Sequence, residues 1–158
     1  MGIEIERKFL VNKEKWDQVT KEKQSLYRQG YIVSDPAKTI RVRLTDEAAF
    51  LTIKGLTVGA SRAEFEYSIP VSDAQQLLDD FCDSVVSKIR YFITYANKLW
   101  EVDEFLGDNE GLMVAEIELE SEDESFSLPD WVGKEVTSEK QYSNSNLAKK
   151  PYRSWGGE

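Results

Sequence analysis

Glu4, Glu6 and Lys8 alternate through residues 3–9, Ile-Glu-Ile-Glu-Arg-Lys-Phe, and alternate side chains of an extended strand share a face. Ile3, Ile5 and Phe9 take the other face, with Arg7 among them. Carboxylates at that spacing stand about 7 Å apart. At an effective dielectric of about 20 they repel by roughly 2 kcal/mol, a cost that a shared divalent cation removes. Magnesium, an oxygen-seeking ion, has the chemistry for it. One such strand in isolation is more often an ordinary solvated face.

The pattern is not isolated. Arg41 and Arg43 share a face of residues 39–44, and Lys54 shares one with Thr52 in residues 50–54. Arg62, Glu64 and Glu66 line up in residues 61–69, opposite Ala63, Phe65, Tyr67 and Ile69. Lys88 and Arg90 align in residues 86–95, and Glu101 and Asp103 in residues 99–103. Residues 112–120 place Glu116, Glu118 and Glu120 together. If such strands close into a cylinder with helices over their apolar faces, the charges line a lumen. A dry lumen with this inventory would cost several kcal/mol for each unpaired ion. Water, a metal and a polyanion relieve it. Arg and Lys donate charge-assisted hydrogen bonds to phosphate oxygens, and carboxylates hold divalent cations. The rival arrangement is a set of solvent-facing strands with cross-strand ion pairs.

Composition narrows the chemistry further. The 158 residues suit one domain, 1–158, with a sizeable core. A net charge of −9 argues against a general nucleic-acid or membrane-surface binder. Zero histidines exclude a Ser-His-Asp triad and any histidine metal ligand. The lone Cys82 allows no internal disulfide and no thiolate zinc site, and it reads as a small buried hydrophobe. No GxxxxGK[ST] or GxGxxG phosphate cradle occurs, nor a stretch long enough to span a membrane or act as a signal peptide. The cytoplasm is the expected compartment.

The elements that must position these residues follow from periodicity. Asn12 is the expected N-cap of a helix over residues 13–24 with Trp16 and Val19 inward. A second strand covers residues 27–33, where Tyr27 and Tyr31 either border the lumen or pack in the core. Asp46-Glu47 and Asn97-Lys98 are expected hairpin turns. Ser72 is the expected cap of a helix to about Cys82 with Leu77, Leu78 and Phe81 inward. Residues 121–125 cap or begin a short helix, residues 138–149 form a last helix, and Gly156-Gly157 fray. Trp100 and Trp131 read as core. The sum is an α+β fold, an antiparallel closed barrel of about eight strands with helices outside.

Glu4-Ile5-Glu6-Arg7-Lys8 resembles the N-terminal ExExK signature of the CYTH superfamily, the triphosphate tunnel metalloenzymes. The resemblance extends along the chain, because Arg41-Val42-Arg43, Lys54, Glu64-Phe65-Glu66, Lys88-Ile89-Arg90, Glu101-Val102-Asp103 and Glu116-Ile117-Glu118 follow in the family's order. It implies an eight-stranded tunnel, plugged at one end by a C-terminal helix, that hydrolyses or cyclises a triphosphate with magnesium or manganese. Carried over by position, Glu4, Glu6, Lys8 and Glu118 would be the catalytic set. Glu4, Glu6, Glu116 and Glu118 would hold metal, assisted by Glu64, Glu66 and Asp103. Lys8, Arg41, Arg43, Lys54, Lys88 and Arg90 would grip phosphates, with Arg62 on the same face near a strand end. Glu101 and Glu120 would be supporting or rim residues. The compact bacterial type that this chain resembles implies inorganic tripolyphosphate as substrate, with monomer or homodimer both compatible. Thiamine triphosphatase and class IV adenylate cyclase are the enzymatic alternatives, and a non-catalytic polyphosphate-binding module is the other class.

Overall fold

The computed structural model describes residues 2–155, so the Gly156-Gly157 tail lies outside the described residues. Alternating β-branched and charged residues form the expected strands. These are β1 (Gly2–Val11), β2 (Lys23–Asp35), β3 (Lys38–Leu44), β4 (Ala49–Gly55), β5 (Ser61–Ser68), β6 (Val85–Tyr95), β7 (Lys98–Phe105) and β8 (Met113–Glu118). All pair antiparallel in the order β5-β4-β3-β2-β6-β7-β8-β1, and β1 returns to β5 to close the barrel. Closure rests on the pairs Gly2↔Glu64 to Ile5↔Ser61, while residues 6–10 of β1 pair with β8 on the other edge. β9 (Val132–Glu135), which the sequence did not announce, covers the far half of that first edge through Phe9↔Glu135 and Val11↔Val132. Arg7 fastens it with a fork to Glu135 at 2.8 and 2.7 Å.

The helices are shorter than periodicity suggests. α1 (Lys13–Trp16) is one turn, with Asn12 Oδ1 accepting from Lys15 N at 3.1 Å as expected. It stops because Trp16 is locked between Tyr91 and Trp131, at ring centroid distances of 5.4 and 5.2 Å, and because residues 23–30 gain a full ladder against β6. Short isolated helices are marginal, so the ladder wins. α2 (Val71–Asp80) starts at Pro70 without a side-chain cap and buries Ala74 and Leu78 against Val42 and Ala49. Phe81 is its exposed C-cap rather than part of the buried stripe. Cys82 is half-buried and lies over Gly30, where an added Cβ would sit 2.8 Å from the Cys82 Cβ, so β2 needs glycine there. Residues 121–124 form turns, since like-charged neighbours oppose a helix. α3 (Asn144–Lys149) is the remnant of the expected 138–149 helix, and Ser143 caps it by accepting from Asn146 N at 3.2 Å. Preceding it is a single 3-10 turn, Lys140–Tyr142. The β6–β7 hairpin turns on Ala96 and Asn97, both at positive φ (50° and 66°), one residue earlier than Asn97-Lys98.

Apolar strand faces point outward and are covered in patches. Phe9, Trp100, Val102 and Ile117 pack under Trp16 and Trp131. Val86, Phe105 and Val114 instead share the inward face with Lys88, Asp103 and Glu116, and Leu147 of α3 packs on them at one end of the barrel. Three short helices cannot cover a whole cylinder. Ile3, Ile53, Phe65 and Tyr67 on β1, β4 and β5 stay exposed, contrary to an outer surface fully roofed by helices. No described helix is long and apolar enough to cross a membrane.

Candidate active site

Because the apolar faces point out, the alternating charged faces point in. Glu4, Glu6, Lys8, Arg41, Arg43 and Lys54 line one cavity of about 220 Å³ together with Arg62, Glu64, Glu66, Lys88, Arg90, Glu116 and Glu118. Glu101 joins them, whereas Glu120 lies past the end of β8 and is exposed. Asp103 is the one predicted residue that stands behind the wall, fully buried. Its oxygens accept from Arg90 Nε and Nη2 at 2.7 and 2.9 Å and from Lys88 Nζ at 2.8 Å.

The cavity is polarised. At one side, Arg41, Arg43, Lys88 and Arg90 gather around β2. The Tyr27 ring backs three of them, with Arg43 at 4.9 Å, Arg90 at 5.1 Å and Lys88 at 6.0 Å from its centroid. Tyr31 lines the cavity itself, whereas Tyr27 stands against the cations that do. Burial pulls Lys88 down to about 7, helped by Arg90 and Arg43 and opposed by Asp103. Burial, then Arg41 and Arg90, bring Arg43 down to about 10. Of these four cations, Lys88 and Arg90 lean on Asp103 and Arg41 lies 3.7 Å from Glu66, whereas Arg43 has no carboxylate partner among the described residues. The buried Arg41 Nε has no hydrogen-bond partner among the described residues, an orphan donor in a wall where such donors are normally satisfied.

Carboxylates gather at the other side. Lys54 pairs with Glu4 at 3.1 Å and Glu64 at 3.7 Å, and Lys8 with Glu116 at 3.6 Å. Glu66 accepts from Thr52, which in turn accepts from Arg41. Burial disfavours the Glu4 charge, but Lys54 holds its carboxyl below the usual range. Among the described residues Glu6 has no such partner. Burial, then Glu116 and Glu4, push it well above the usual range. Glu118 is raised by burial and by Glu4 and Glu64. Among the described residues no three of these acids are drawn together as a ready-made metal cage, since lysines and Arg90 engage several of them. The donor set nonetheless fits a hard divalent cation: all ligands are oxygens, and the repelled Glu6 and Glu118 are the groups a cation would relieve.

Three further residues carry no charge and so gave little signal. Gln29 is completely buried, accepts from Arg43 Nε at 3.0 Å, and donates to Tyr31 Oη and Asn144 Oδ1 at 3.0 and 3.1 Å. Its place in the alternation Tyr27, Gln29, Tyr31 could have found it. Ser143 and Asn144 enter the cavity from the C-terminal segment, which no local pattern foretells.

A closed antiparallel cylinder with an oppositely charged, divided interior defines a tunnel for a polyanion and its counter-cation. The chain belongs to the CYTH domain family, which matches residues 2–152. It is 48% identical over 156 residues to an inorganic triphosphatase of Acetivibrio thermocellus, covering 98% of this chain and 99% of the relative. An inorganic triphosphatase of Nitrosomonas europaea is 37% identical over 154 residues, covering 92% and 96%. The solved structure of an inorganic triphosphatase superposes with a TM-score of 0.63 at 33% identity over 91% of this chain and 96% of that one. A putative adenylate cyclase from Bacillus halodurans shares the fold at 20% identity, with a TM-score of 0.62 over 77% and 84%.

Proposed function

We propose that this chain is a divalent-metal-dependent hydrolase that cleaves inorganic tripolyphosphate to diphosphate and phosphate. One observation carries the reading: Arg41, Arg43, Lys88 and Arg90 share one cavity inside the barrel with Glu4, Glu6, Glu116 and Glu118. The cationic side grips phosphate oxygens, with arginine forks able to take two at once. Asp103 holds Lys88 and Arg90 in place rather than binding metal itself, because both its oxygens are already engaged. Lys8 and Lys54, paired to Glu116 and to Glu4 and Glu64, bring cations among the carboxylates and would reach phosphate oxygens from that side. Magnesium or manganese held by Glu4, Glu6, Glu116 and Glu118 would supply neutralisation of the phosphate oxygens during transfer. Phosphoryl transfer asks mainly for alignment and charge neutralisation, which a lined tunnel provides. In a histidine-free cavity, carboxylates are the acceptors for the proton of the attacking water. A cytoplasmic site of action suits this chemistry.

Inorganic substrate is favoured over a nucleoside or thiamine triphosphate by the mouth. A second cavity of about 410 Å³ continues from Glu4, Glu6 and Lys8 and is walled by Pro36, Leu56, Arg62, Ser138 and Lys149 among others. Among the described residues none that lines it is aromatic, so a ring finds no stacking partner there. Phosphate release from tripolyphosphate, ATP and thiamine triphosphate, each with magnesium or manganese, tests this. Tripolyphosphate should turn over at least tenfold faster than either; faster release from an organic triphosphate would overturn the assignment, and binding without release would favour a binding module.

A further inference from the structure

Donor and acceptor chemistry fixes a chain of hydrogen bonds that crosses from the barrel to the C-terminal segment. Arginine only donates, so Gln29 must turn its Oε1 to Arg43 Nε, 3.0 Å away. Its Nε2 therefore faces Tyr31 Oη and Asn144, and Asn144 must answer with Oδ1, at 3.1 Å. Lys88 Nζ, another pure donor, reaches the same Oδ1 at 2.9 Å. One amide oxygen thus receives two donors, one to each of its lone pairs. The amide nitrogen of Asn144 is left for the cavity that the residue lines. Gln29 is wholly buried and Lys88 nearly so, which makes each of these bonds expensive to lose.

We propose that Asn144 and Gln29 are positioning residues that hold Lys88 and Arg43 for the phosphate chain, making α3 part of the binding site rather than only a stopper. Asp103 and Asn144 each take one N–H of Lys88, which leaves the third for substrate. Gln29 occupies Arg43 Nε and leaves the two terminal nitrogens of that guanidinium as a fork. The anchor for Asn144 is Leu147, buried completely one turn further along α3 among Val86, Phe105 and Val114. This inference rests on the triphosphate reading above.

The test is titration of inorganic tripolyphosphate in chelator, where no turnover competes. Asn144→Ala should weaken binding about tenfold, and its further effect in a Lys88→Ala background should be clearly smaller than that, because much of the asparagine's action passes through the lysine and the rest through Gln29 and Arg43. A purely structural role would give additive losses, and that result overturns the proposal. Gln29→Glu gives a second route: it keeps the acceptor for Arg43 but sets oxygen against Asn144 Oδ1, and should lose about as much affinity as Asn144→Ala. Unchanged affinity in that variant would equally overturn it. Wild-type protein that binds no tripolyphosphate would remove the triphosphate reading, and this inference with it; wild-type binding with indifferent variants removes the inference alone.

Discussion

Glu6 is a buried carboxylate with like charges on both sides and no cation of its own. Its raised pKa means the folded protein holds a proton that the unfolded chain releases, so this group lowers stability as pH rises from the ordinary glutamate range through its folded value. Glu6→Gln should therefore stabilise the metal-free protein by about 2 kcal/mol at pH 7, the repulsion of one neighbouring carboxylate at an effective dielectric of about 20. Denaturant melts read this directly. Added magnesium should stabilise the wild type and leave the variant nearly unmoved; a variant less stable than wild type in chelator would contradict the reading. Lys88 is shifted the other way. With its pKa near 7, it loses charge as pH rises, so tripolyphosphate affinity in chelator should fall severalfold between pH 6 and pH 9. Lys88→Arg, charged throughout, should flatten that slope. The charged faces were legible because alternation is a strict rule of strands. Gln29 and Asn144 were not, because a neutral amide signals a partner only once the partner is in place.

At the level of elements, β9 and α3 are the two pieces whose function exceeds their length. β9 is held by the Arg7–Glu135 fork, and Arg7 holds Glu135 below the usual carboxylate range. That stabilisation is present above the ordinary glutamate value and fades as pH falls through the lowered folded one. Both partners are about a third exposed, so Glu135→Gln should cost less than about 1 kcal/mol at pH 7 and nothing near pH 2. Leu147→Ala is the harsher probe. A fully buried leucine costs about 2–5 kcal/mol to truncate, and here the loss also loosens the end of the barrel that Asn144 closes. Stability and tripolyphosphate affinity should drop together, whereas Leu78→Ala, on the buried face of α2 outside the barrel, should lower stability alone. Strand positions were readable within a few residues. Helix lengths were not, because a 3.6-residue stripe says nothing about whether a neighbouring strand will claim the same residues, as β6 does with residues 23–30.

Across the whole molecule, a chain with net charge −9 concentrates four cations at one side of a small cavity. Surface charge repels a polyanion, so the attraction is local and enclosed, where screening is weak. The same inversion that fills the lumen with charge sends aromatic and aliphatic residues outward, and the three short helices leave Ile3, Phe65 and Tyr67 bare. Sequence periodicity identified which faces were charged and which apolar; it could not say that the roof would be incomplete. The most direct test is phosphate release from tripolyphosphate while magnesium is titrated into chelator-stripped protein, with Glu118→Gln alongside. Release should be absent in chelator, rise with magnesium to a plateau, and fall at least a hundredfold in the variant. Metal-independent release, or full activity in Glu118→Gln, would contradict an interior in which carboxylates and cations act on one phosphate chain.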